Sequence, residues 1–178
     1  MPNDDVAQSI TVLGTFHQLQ GPNFSGYVAD PSYEELLEDL IQGGNIDFVF
    51  EEAGGRTLSI AEELAKKIGP NCYQDIDPPR ADRPSYGIAE DTTTSQPINL
   101  WNKPPDFYSE EKIDEHRKRE ELWLTLVSQR SFKAGLLICG VAHCLSVGFR
   151  LQQAGYLVRA FNYIPHHKVC TAPHLQNT

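Results

Sequence analysis

Apolar positions along this chain alternate between two periods. Ile10, Val12 and Leu13 lead into Gly14, and β-compatible residues predict a buried strand over 10–16. From Tyr33 the apolar positions move to Leu36, Leu37, Leu40 and Ile41, which is helical spacing with an acidic outer face. Asp30 or Ser32 would cap that helix, and Gly43-Gly44 would end it. IDFVF, residues 46–50, predicts a second strand. SIAEELAKKIG, residues 59–69, predicts a helix capped by Ser59 and closed by Gly69. CYQDID predicts a short third strand stopped by Pro78-Pro79.

Residues 78–108 are rich in proline and polar residues and show no period. They predict a long connection, with Trp101, Phe107 and Tyr108 as a lid or as a packing cluster of their own. Residues 109–131 predict the longest helix, capped by Ser109, charged in its first half and apolar in its second. AGLLICG predicts a strand, LSVGFRLQQAG a helix, and YLVRAFNYI a last strand before a loosely structured tail over 165–178. Strands alternating with helices predict one α/β domain, a three-layer sandwich with a mainly parallel or mixed central sheet flanked by helices.

Composition changes this picture little, with 40% hydrophobic and 22% charged residues among 178. The net charge of −9 argues against a nucleic-acid backbone or an anionic membrane as partner. The opening MPNDDVAQS lacks the basic-then-apolar order of a signal peptide, so the expected location is cytoplasmic. Cys72, Cys139, Cys144 and Cys170 form no CxxC pair, and reduced thiols are expected.

Candidate chemistry gathers at predicted strand ends, where parallel sheets bind ligands. His17 stands three residues after Gly14, and His143 three residues after Gly140. Each glycine would let the chain turn sharply and leave open space beside the imidazole. Glu51 and Glu52 follow the second strand, and Asp75 and Asp77 the third. His17, His143 and a glutamate form the donor set of a hydrolytic metal site for manganese, zinc, cobalt or iron. Either histidine alone reads more readily as a packed or capping residue. Which of Glu51 and Glu52 faces the rim depends on a strand phase that is open at this point. Asp75 and Asp77 could add metal oxygens or simply make a turn. His166, His167, Cys170 and His174 in the tail lack the second half of a zinc motif. The chain carries no GxxxxGK[ST], GxGxxG or GxSxG motif.

GTFH (14–17), EEAGG (51–55), HRKREELW (116–123), CGVAH (139–143) and LQQAGYLV (151–158) stand in the order of the TraB/Tiki proteins. The chain resembles that family, within the superfamily that includes erythromycin esterase-like and ChaN-like proteins, as a compact member. The resemblance implies hydrolysis. Tiki members look like metal-dependent peptidases, esterase-like relatives use histidine as a general base without metal, and ChaN-like relatives bind haem. By the motif match, His17 and His143 with Glu51 or Glu52 would hold a divalent metal and its water. Glu51 or Glu52 would take the water's proton, and Arg117 or Arg119 would steady an oxyanion, hold a carboxylate or simply line a solvated helix face. A peptide is the expected substrate and an ester or other small molecule the next. The alternatives are a non-enzymatic ligand- or haem-binding module and metal-free hydrolysis with histidine as base.

Overall fold

The computed structural model describes residues 8–89 and 110–165, with side chains from residue 114 onward in the second span. Its centre is a five-stranded, wholly parallel sheet in the order β3-β2-β4-β1-β5. The strands are β1 (Ser9–Thr15), β2 (Phe48–Glu51), β3 (Tyr73–Asp75), β4 (Ala134–Gly140) and β5 (Leu157–Asn162). The helices are α1 (Pro31–Glu38), α2 (Ile60–Ile68), α3 (Glu110–Ser128) and α4 (Cys144–Gln153). This is the expected α/β sandwich, and the sheet is parallel throughout rather than mixed.

Alternation along the strands sorts the core into two layers. Leu13, Val49, Leu136 and Ile138 face α1 and α2, where Tyr33, Leu37, Ala61 and Leu64 cover them. Val12, Phe48, Phe50, Leu137 and Cys139 face α3 and α4, against Trp123, Val127, Val147 and Leu151. Caps fall where the sequence places them. Asp30 accepts from the Ser32 and Tyr33 N–H groups, and Ser59 accepts from the Glu62 N–H. The first helix closes in a π turn, Asp39–Gly43, which ends on the first of the paired glycines, with Gly44 as its cap.

From β1 the chain winds towards β3 with helices on one face. From β3 it winds back towards β5 with helices on the other. Right-handed crossovers require this change of face. β4 therefore stands between β1 and β2, whose exits leave to the opposite side of the sheet. A crevice must open at the carboxyl end of β4, and this is the topological switch point of the fold.

The glycines before the two histidines serve contact rather than turning. Gly14 is the last residue but one of β1 and Gly140 the last of β4, and neither has a positive φ. A Cβ on Gly140 would stand 3.0 Å from His17 Nε2, and one on Gly14 would collide with Asn162 and Cys144. The expectation of a sharp glycine turn is thus corrected: these positions need the missing side chain, not an unusual backbone. The described first part of the long connection is a 3-10 segment, Arg80–Tyr86, at the carboxyl end of β3. Ser109, Trp101, Phe107, Tyr108 and the tail histidines lie outside the described residues.

Candidate active site

A cleft of about 240 Å³ opens at the crevice, lined by His17, Glu52, Asp77, Arg56, Arg80, Arg83 and Arg119 among others. A wider depression of about 400 Å³ beside Ser9, Tyr156 and Arg159 lies at the amino end of β1 and β5 and carries none of this chemistry.

The two glutamates take opposite sides of the sheet, as a period of two demands. Glu52 enters the cleft. It accepts from the Gly140 N–H at 2.7 Å and from the Arg119 guanidinium, and its Oε1 lies 3.5 Å from His17 Nε2. Burial alone would raise its carboxyl. His17, Arg119, His143 and the Gly140 N–H outweigh burial and hold it well below the usual carboxylate range. Glu51 points the other way, fully buried behind the cleft. It accepts from Gln20 Nε2 at 2.9 Å, from the Tyr73 hydroxyl at 2.8 Å and from the Ser59 hydroxyl. Burial pushes it up to about 7, with the three donors opposing.

Gln20 joins this buried carboxylate to the exposed His17. A 3-10 turn, His17–Leu19, brings Gln20 Oε1 to 2.6 Å from His17 Nδ1. The Gln20 amide nitrogen is committed to Glu51, with a longer contact to the Glu52 carbonyl. Its oxygen can therefore only accept, so the network assigns the proton of neutral His17 to Nδ1. Nε2 is left with a lone pair at the cleft wall.

Asp77 and Arg119 form the opposite wall. Asp77 accepts from Arg119 Nε at 2.9 Å, Arg83 at 2.7 Å and the Trp123 indole at 3.3 Å. Asp75 turns elsewhere, accepting from the N–H groups of Ala53, Gly54 and Gly55. Gly54 and Gly55 have φ of 65° and 78°, so EEAGG is a left-handed turn folded around that carboxylate. The turn places Glu52 and Arg56 on the cleft, and Asp75 is its staple. Arg117 does not reach the cleft. It is exposed on α3, pairing with Asp114 and Glu121.

His143 is 4% exposed, and its Nδ1 donates to Glu120 at 2.9 Å. Ser146 and Arg150 complete the Glu120 carboxylate, and the rings of His116 and Trp123 flank the imidazole. Burial, with His143 and Arg119 adding, lowers His116 to about 4, so it is neutral at pH 7. His143 thus ties α4 to α3. Replacing it by alanine is expected to cost about 1–3 kcal/mol, since a buried carboxylate loses a donor. Urea unfolding of His143→Ala measures this, and a loss within 0.5 kcal/mol would contradict the structural role.

The donors proposed for a metal are not drawn together. Glu51 faces away from the cleft, His143 is engaged with Glu120, and Glu52 already bears a guanidinium that would oppose a divalent cation. His17 Nε2, Glu52 Oε1 and the Asp77 carboxylate stand at the cleft, Asp77 already paired with Arg83 and Arg119, and no group of three or more His, Cys, Asp or Glu suited to a metal occurs among the described residues. The residues that the sequence reading missed are Gln20, Arg56, Arg80, Arg83 and Glu120. Gln20 had a weak signal, its spacing of three from His17. Arg80 and Arg83 had another, their place just beyond a strand end. No protein-family model, curated protein or solved structure matches this chain.

Proposed function

We propose that this protein is a metal-free hydrolase of carboxylic esters or amides in which His17 is the general base. The observation that carries the reading is the Glu51–Gln20–His17 chain, which leaves the Nε2 lone pair at the cleft. His17 takes a proton from water as the water oxygen bonds to the substrate carbonyl carbon. Glu52, 3.5 Å from Nε2, stabilises the imidazolium so formed. Arg119 stands at the same carboxylate and offers positive charge to the developing oxyanion. As the bond to the leaving group breaks, the imidazolium returns its proton to that group. The likeness to TraB/Tiki motifs supports hydrolysis, and within that superfamily the arrangement favours the esterase-like use of histidine.

The test is hydrolysis of aryl esters and short peptides in chelator by wild type and His17→Ala. The variant should lose about 10²- to 10⁴-fold in kcat. His17 has a side chain 48% exposed, so the melting temperature should change little. Activity that appears only with added manganese, zinc or cobalt would return the metal-dependent reading. Equal activity in wild type and variant would remove His17 from the chemistry.

A further inference from the structure

We infer that Arg56 binds a carboxylate of the substrate, so that the ester or amide cleaved at His17 carries a free acid group. This rests on the hydrolase reading above for its place beside the reacting bond, but its own basis is the state of one guanidinium. Arg83 and Arg119 line the cleft and are engaged by Asp77 and Glu52. Arg56 lines the same cleft and pairs with no carboxylate among the described residues. Its Nη1 donates to the Ala53 carbonyl at 2.9 Å, and the guanidinium lies over the Phe24 ring at 5.2 Å. Nε and Nη2 have no acceptor among the described residues. Those two nitrogens form the side edge of the guanidinium, whose parallel N–H groups match the two oxygens of one carboxylate.

The fold holds this edge in place before a ligand arrives. Arg56 leaves the left-handed turn at Gly54 and Gly55, which Asp75 staples. Phe24 is buried and belongs to the loop that follows His17. The two loops are tied to each other. Asn23 Nδ2 donates to the Thr57 carbonyl at 2.9 Å, and the Ile60 N–H donates to the Gln20 carbonyl at 2.8 Å. They pass so close that a Cβ on Gly21 would stand 2.8 Å from the Leu58 carbonyl oxygen. Leu58 itself has φ of 60°, a left-handed conformation that leucine rarely adopts. Strain of this kind persists only where surrounding contacts fix the segment, and it gathers at functional sites. His17 and Arg56 therefore stand on one tied pair of loops. A substrate anchored through its acid group presents its carbonyl to His17 in a limited range of positions. A neutral substrate of the same shape leaves the guanidinium edge unpaired and loses that positioning.

The experiment uses the full chain, with ionic strength held constant by chloride. Nitrogen NMR at pH 6 follows the arginine Nε–H groups, with Arg56 assigned by its absence from Arg56→Lys. Butyrate should shift that resonance and saturate, and butyramide, its uncharged counterpart, should not. No shift with butyrate, or an equal shift with butyramide, would overturn the carboxylate site. Tighter binding of inorganic phosphate, mostly a monoanion at that pH, would overturn it too. A second measurement compares the para-nitrophenyl half-ester of glutaric acid with para-nitrophenyl valerate, after subtraction of spontaneous hydrolysis. The half-ester should have a kcat/KM about tenfold higher or more. Arg56→Ala should bring that ratio close to one, and Arg56→Lys should keep part of it. Arg56 is exposed, so the variants test binding rather than folding. A ratio unchanged in Arg56→Ala would remove Arg56 from substrate selection. Butyrate binding without enzymatic hydrolysis of either ester would end the hydrolase reading and leave the carboxylate site standing. Hydrolysis dependent on His17, with no butyrate shift and no preference for the half-ester, would end the carboxylate site alone.

Discussion

Glu51→Gln is expected to lower kcat by about 10²- to 10⁴-fold without unfolding the protein, although Glu51 never touches the cleft. The carboxylate can only accept, and this forces the Gln20 amide nitrogen towards Glu51 and its oxygen towards His17. A glutamine at position 51 can present an NH2 group at the atom that now accepts from Gln20. The Gln20 amide then reverses and donates to His17 Nδ1. The imidazole proton moves to Nε2, where it removes the lone pair that the reaction needs. NMR of the imidazole nitrogens would show the change of tautomer. Retained activity, or an unchanged tautomer, would contradict the positioning role.

The same residue sets a pH dependence of known sign. Glu51 titrates near 7 when folded and near its ordinary value of 4.5 when unfolded. Between those values the folded state binds the extra proton. Its contribution to stability is therefore complete below pH 4.5 and is lost as pH rises through about 7. The loss is on the order of 3 kcal/mol, from burial of the charge. Activity runs the other way, since the ionised form orients Gln20. Wild type should become more active and less stable from pH 5 to pH 8. In Glu51→Gln this component of the stability profile should flatten. Urea unfolding at the two pH values in both proteins gives the comparison, and parallel profiles would contradict it.

Arg119→Met is expected to cost about 3–5 kcal/mol, the largest effect of any single change at the cleft on stability. The guanidinium is paired with both Glu52 and Asp77, carboxylates only 4% and 2% exposed. Methionine keeps much of the volume over Trp123 but leaves both anions short of a counter-charge. Asp77 retains Arg83, and Glu52 retains the Gly140 N–H, so the fold is weakened rather than abolished. The pH signature is distinct from that of Glu51. In wild type, the depressed Glu52 contributes stability that is present above pH 4.5 and is lost as pH falls through its folded value. Without Arg119 that contribution shrinks, so the deficit should be greatest at pH 7 and smaller at pH 4. Unfolding by urea at both pH values tests this. A deficit below about 1 kcal/mol at pH 7 would show that the pairs only offset their own desolvation.

Local order was legible in the chain because it depends on near neighbours. The apolar run in IDFVF, helical spacing from Tyr33 to Ile41 and the caps Asp30 and Ser59 each follow from residues within one or two turns. The rule for parallel sheets then placed His17 and Glu52 at the correct rim. Roles were another matter, since adjacent residues such as Glu51 and Glu52, or residues two apart such as Arg117 and Arg119, look alike in sequence. Strand phase sends Glu51 behind the sheet and Glu52 into the cleft. Helix phase sends Arg117 to water and Arg119 to two buried carboxylates. The two Gly-x-x-His endings diverge for a similar reason. His17 lies in an exposed turn, whereas His143 begins α4 where α3 covers it. Burial, partner and charge balance arise from contacts between segments far apart in the chain, as between Glu52 and Gly140 or Asp77 and Arg119. Tertiary packing alone decides which carboxylate is neutralised and which imidazole is free to accept a proton.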